Sequence, residues 1–369
     1  MNIPVNTPLL DGNEKKYLNE CIDTGWISSE GPFIKAFEKQ FAEKVNRRHG
    51  IAVCNGTAAL ELAVRAVGIK EGDEVIVPTF CIISCIMAIV NVKAIPVFVD
   101  CQPDTWNMKV EEIEAKITKK TRAIMVVHTY GLPVDMNPVF ELKKKYGLLI
   151  IEDAAEMHGQ TYHGRPCGSL GDVSIFSFYP NKHITTGEGG MVMTDDDAIA
   201  EKCLSLRNLC FVPEKRFVHY ELGYNYRMTN LQAALGLAQL ERLDEFVLKK
   251  RHIGNYYAGR LSRLEGFRFP VPKTAYADNI YWVFAIVIEH ERFGDNDAFM
   301  KELAAQGIGC RPFFWCAHEQ PVFKGKFSGA YKESEYIARH GFYLPSGLGL
   351  TDADMDYVCD KFTEIVKRY

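Results

Sequence analysis

No apolar run in these 369 residues reaches the roughly 18 needed to span a bilayer. The best, Ile82 to Val92, falls short, so no membrane partner is expected. Basic blocks are missing too. With a net charge of −4 and only Lys143-Lys144-Lys145 on a predicted helix, the chain offers nucleic acid no footprint. The eleven cysteines contain no Cys-x-x-Cys pair, which argues against zinc or any other metal site. The start, Met1-Asn2-Ile3-Pro4-Val5, has no basic segment leading into an apolar stretch. The cysteines therefore read as reduced, mostly buried thiols of a cytoplasmic protein. No Gly-x-Gly-x-x-Gly joins a strand to a helix, which argues against a dinucleotide site. Repeats and low-complexity linkers are also lacking.

What is present points to two domains sharing a cleft, because 369 residues exceed one compact core. Strands are predicted at Glu74–Val77, Pro96–Asp100, Ala123–His128, Leu148–Glu152, Val173–Phe178 and Gly190–Thr194. Several are apolar almost throughout, as strands buried on both faces must be. Helical patterns such as Ala58–Val67 and Pro138–Tyr146 lie between them. This alternation predicts an α/β fold with a mostly parallel sheet. A long helix is predicted from Asn230 to about Arg251, with Leu231, Ala234, Leu235 and Ala238 as its buried stripe. The expected division is a large domain over 1–245 and a smaller α+β domain over 246–369, closed by a helix at Asp352–Arg368.

Ligands of such sheets bind at the carboxyl ends of the strands, and the unusual residues fall there. Asp153 closes an apolar strand, where an acid is costly unless a cation meets it or it caps a following helix. Lys182 follows the next strand in a turn, five residues after Ser177 and just before Gly187-Glu188-Gly189-Gly190. Cys54-Asn55-Gly56-Thr57 opens a helix whose free N–H groups suit a phosphate. These three features together suit pyridoxal 5'-phosphate. A lysine amine condenses with its aldehyde, a carboxylate holds its ring nitrogen protonated, and the phosphate fixes its pose.

From Asp23-Thr24-Gly25-Trp26-Ile27-Ser28-Ser29 through the motifs above, the sequence resembles the DegT/DnrJ/EryC1/StrS sugar aminotransferases. The likeness continues through Gly223-Tyr224-Asn225-Tyr226-Arg227-Met228, Arg311-Pro312-Phe313-Phe314 and Leu344-Pro345-Ser346, so it covers essentially the whole chain. It implies the aspartate-aminotransferase type I fold of pyridoxal-phosphate-dependent transferases. It also implies Lys182 as Schiff-base lysine and proton shuttle, Asp153 on the pyridine nitrogen and Glu156 near the ring hydroxyl. Gly56, Thr57 and Ser177 would hold the phosphate, with Asn225 reaching it from the second subunit of a homodimer. Trp26, Arg311 and His318 would meet the substrate. Many relatives place an aromatic residue over the ring four positions after a Val-Pro; here that position is Ile82, so either Ile82 or Phe80 covers the ring. The implied reaction carries an amino group from glutamate to a nucleotide-linked 4-keto-6-deoxy sugar. GDP-4-keto-6-deoxymannose, giving GDP-perosamine for surface polysaccharide, is the nearest match. UDP- or dTDP-linked sugars are alternatives, as is a sugar dehydratase. The dehydratase branch carries histidine where this chain has Lys182.

Overall fold

The computed structural model describes residues 2–215 and 217–369. Its strands β1 (His49–Val53), β2 (Glu74–Pro78), β3 (Ile95–Val99), β4 (Thr121–Val127), β5 (Leu149–Asp153), β6 (Val173–Ser177) and β7 (Gly190–Thr194) form one sheet. Their order is β1-β7-β6-β5-β4-β2-β3. All neighbours run parallel except β7, which is antiparallel to both β1 and β6. Alternate residues along β4 enter two different cores: Ile124 and Val126 one, Ala123, Met125 and Val127 the other. Both faces are thus covered, which is why the strands read as unbroken apolar runs rather than alternating ones.

Strand β1 does not appear among the strands predicted from the sequence. It begins His49-Gly50, which interrupts the apolar run, yet Gly50 is required there. A Cβ on it would lie 2.6 Å from the Glu38 carbonyl oxygen of the helix packed alongside.

The long helix predicted from Asn230 is two, Asn230–Leu240 and Leu243–Leu261. Its buried stripe is also rotated: Ala233, Ala234, Leu237 and Ala238 are buried, whereas Leu231 and Leu235 are only partly so. The cause is Asn230. Its wholly buried side chain accepts the Phe33 N–H at 3.0 Å and donates to the Trp26 carbonyl at 2.8 Å. A polar anchor, not a leucine, therefore sets the inward face.

A second, antiparallel sheet contains Phe267–Arg268, Phe284–Ile288, Gly341–Leu344 and Arg311–Pro312, in that order. Its core includes Tyr257, Phe284, Leu303, Phe342 and Phe362, and also Ile3. The N-terminal arm enters this core by pairing beside Ile308, with Ile3 N–H donating to the Gly307 carbonyl at 2.8 Å. The boundary at residue 245 falls inside the Leu243–Leu261 helix. Among the described residues, no helix is long and apolar enough to cross a membrane.

Candidate active site

The carboxyl ends of β1, β5 and β6 lie at one edge of the sheet, and β7 starts from that edge. Each delivers one functional segment. After β1, Asn55 caps the Gly56–Ala66 helix by accepting the Ala58 N–H at 2.8 Å. The Gly56 and Thr57 N–H groups in the first turn precede the helix's own bonding pattern. Gly56 is forced to be glycine: a Cβ would lie 2.8 Å from that of Ser177. That close approach brings the end of β6 against the helix start. Thr57 Oγ1 and Ser84 Oγ meet at 2.8 Å beside it. Hydroxyls and amides therefore converge on one spot with the positive end of a helix dipole behind them.

Asp153 ends β5 and is buried. No helix follows it; instead it accepts the Ala155 N–H at 3.0 Å and the Cys85 thiol at 3.1 Å. Burial pushes its pKa up, opposed by those two donors and by Lys182. Its neighbour Glu152 is engaged elsewhere. His128 Nδ1 accepts the Val134 N–H at 3.0 Å, so the proton sits on Nε2, which donates to Glu152 at 3.2 Å. Glu152 also accepts the Leu170 and Gly171 N–H groups at 2.8 and 2.9 Å. Glu156 accepts the Tyr130 N–H at 2.7 Å. Tyr130 has a φ of 56°, a left-handed conformation rare for a bulky residue, which aims that N–H inward.

Lys182 hangs in the loop between β6 and β7, its Nζ 3.8 Å from Glu156 Oε1. Burial pulls the amine's pKa down, and Glu156 and Asp153 pull it back up. Burial likewise raises Glu156, against the attraction of Lys182. The result is an ion pair of an amine and an acid, both displaced toward neutrality.

These groups line one cavity of about 490 Å³. Gly56, Thr57, Ile82, Asp153, Glu156, Ser177 and Lys182 all border it, and so does Arg311. Ile82 is 41% exposed, while Phe80 is wholly buried against Tyr130 and Phe313 in a separate aromatic cluster. Of the two residues considered for covering a ring, only Ile82 reaches the cavity. Three expected residues are not among the described residues lining it. His318 has both ring nitrogens engaged: Nδ1 meets Thr79 Oγ1 at 2.7 Å and Nε2 meets Glu335 at 3.2 Å. Trp26, 50% exposed, and Asn225, whose Oδ1 accepts the Arg227 Nε–H at 2.9 Å, stand on the surface of the same chain. The sequence reading missed Trp282, Tyr343 and Ser84, which do border the cavity. Trp282 stands two residues before the Phe284–Ile288 strand, and only that place could have marked it.

The donor set fits pyridoxal phosphate. Asp153 faces the cavity with two hydrogen bonds in place, leaving room for a cationic ring nitrogen. The Gly56 cradle suits the phosphate because any side chain there would fill it.

Comparison with known proteins agrees. The model of the DegT/DnrJ/EryC1/StrS aminotransferase family matches residues 8–363. The GDP-perosamine synthase of Vibrio cholerae is 44% identical over 360 residues, covering 97% of each chain. That of Caulobacter vibrioides is 44% identical over 365 residues, covering 99% of this chain and 98% of its own. The structure of Spr1654 from Streptococcus pneumoniae in its PLP form superposes with a TM-score of 0.93 at 25% identity, covering 100% of this chain and 99% of that one. By family model, relatives and fold alike, this chain belongs to the DegT/DnrJ/EryC1/StrS aminotransferase family.

Proposed function

We propose that this chain is a pyridoxal-phosphate-dependent aminotransferase that moves an amino group from glutamate to GDP-4-keto-6-deoxymannose, forming GDP-perosamine for surface polysaccharide. The observation that carries the reaction type is the Lys182 amine, buried on the cavity wall between Glu156 and Asp153. The full-length likeness to two GDP-perosamine synthases supports the sugar. Bound pyridoxal phosphate supplies an aldehyde for amine exchange and a protonated ring that draws electrons from the carbon beside that amine. The chain's own residues do the rest. Asp153 keeps the ring nitrogen protonated, and Gly56, Thr57 and Ser177 hold the phosphate. Lys182 Nζ, whose pKa burial lowers, takes and returns the proton of the reacting carbon. Ile82 covers the ring, Glu156 sits at its hydroxyl side, and Arg311 at the mouth meets an anionic group of the substrate.

Asn225 and Trp26 serve the site of the second subunit in a cytoplasmic homodimer. Their exposure, and their absence from the lining of the chain's own cavity, support that reading. The decisive experiment offers glutamate with GDP-, UDP- and dTDP-linked 4-keto-6-deoxy sugars and identifies the product by mass and NMR. A 4-amino GDP sugar is expected. Preferential amination of a UDP or dTDP sugar would overturn the substrate, and a deoxy product the reaction type.

A further inference from the structure

Lys182 is held by more than two acids. Its Nζ lies 3.9 Å from the centre of the Trp282 ring. The indole Nε1–H donates to the carbonyl of Asn181, the residue before the lysine, at 2.8 Å. One residue earlier, the Pro180 carbonyl accepts from Asn6 Nδ2, also at 2.8 Å. Two successive carbonyls of the lysine loop are thus pinned from outside.

Trp282 is itself aimed. Tyr281, just before it, has a φ of 49°, a left-handed conformation that a bulky residue adopts only under constraint. Two contacts supply the constraint. Asn279 Oδ1 accepts the Tyr281 N–H at 2.7 Å. The Tyr281 ring lies on Gly254, where a Cβ would come within 2.1 Å of it. One turn earlier on the same helix, buried Lys250 donates to the Trp282 carbonyl at 2.8 Å and to the Ser346 carbonyl at 2.5 Å. One helix face therefore presents a gap for Tyr281 and a latch for Trp282.

We propose that Trp282 is a positioning residue for the Lys182 amine, with Gly254 and Lys250 fixing where the indole stands; this rests on the reading of Lys182 as the reacting lysine. Its aromatic face attracts the ammonium and opposes the effect of burial. Its N–H fixes the loop, so the amine returns to one place between proton transfers.

The test uses the full-length enzyme loaded with pyridoxamine phosphate, in which the lysine amine is free. The rate at which formaldehyde and borane methylate Lys182 is followed by peptide mass across neutral and alkaline pH. Glu156, Asp153, His158, His183 and Lys250, the titratable groups that interact with the amine, stay unchanged in all variants. Trp282→Leu removes the ring, so the midpoint moves to lower pH and labelling below it rises about tenfold. Trp282→Phe keeps a ring and loses the N–H. Its midpoint stays near that of the parent while kcat falls about tenfold and KM for the sugar holds. An unmoved midpoint in folded Trp282→Leu overturns the proposal, and so does parental kcat in Trp282→Phe. If Trp282→Leu does not fold, the Phe variant alone decides. Turnover surviving in Lys182→Ala would instead sink the reading of the lysine, a separate result.

Discussion

Asp153 and Glu156 are three residues apart, yet their surroundings assign them different work. Asp153 already holds two donors and faces the cavity, so its charge is available to a cationic ring nitrogen. Asp153→Asn keeps the shape and removes that charge; turnover should fall by about 10²-fold or more while circular dichroism stays the same. Lys182→Ala should cut turnover by roughly 10³-fold and abolish borohydride-trapped attachment of pyridoxal phosphate, read by intact mass. Lys250 allows a test through pH. Burial lowers its pKa to about 7, so above that pH the folded chain holds fewer protons here than the unfolded one. The unfolded lysine titrates near 10.4. Stability should therefore rise with pH between those two values, by up to about 1.4 kcal/mol per unit, and level off above. Urea unfolding of the parent minus Lys250→Met isolates this slope. An equal pH response in both would show that Lys250 keeps an ordinary pKa.

At the scale of elements, Gly254 sits inside the Leu243–Leu261 helix, where glycine normally costs about 1 kcal/mol against alanine. Gly254→Ala should nonetheless destabilise by about 1–3 kcal/mol, because the new methyl meets the Tyr281 ring. Thermal unfolding checks the sign. This helix also shows what the sequence could not disclose. Its apolar period is legible, but the rotation of the preceding stripe comes from Asn230, whose burial depends on the distant Phe33 and Trp26. Strands β2 to β7 were readable because burial on both faces makes them continuously apolar. The antiparallel direction of β7 was not, since a fully buried strand looks alike either way. Within the site, residues that follow strand ends were legible. Trp282 was hidden because its aim depends on the backbone of Tyr281 and on a glycine 28 positions before it. The partners of His318, Thr79 and Glu335, were hidden too, because they lie far from it in sequence or on another element.

At the scale of the whole molecule, Tyr220 is 78% and Leu222 90% exposed, in the segment that leads to Asn225. That exposure suits the partner surface that the proposed shared site requires. In the proposed homodimer, Leu222→Glu should shift the chain from dimer toward monomer in sedimentation and lower turnover with it. The proposed shared sites make a further demand. Lys182→Ala and Asn225→Ala chains, each nearly inactive, should regain partial activity when subunits exchange. Each mixed dimer then has one site with both residues intact. No recovery in verified mixed dimers would place Asn225 outside the partner's site.

The N-terminal arm carries a consequence for how the molecule comes into being. Ile3 completes the second core by pairing beside Ile308, so this arm must wait for partners about 300 positions further along the chain. At about 5–20 residues per second, the ribosome needs roughly 15 to 60 seconds to supply them. Throughout that interval the arm has no second core to join, whatever the large sheet has already done. Closure of that core is therefore a late, long-range event in biogenesis, and the strand-like arm is exposed to mispairing until it happens.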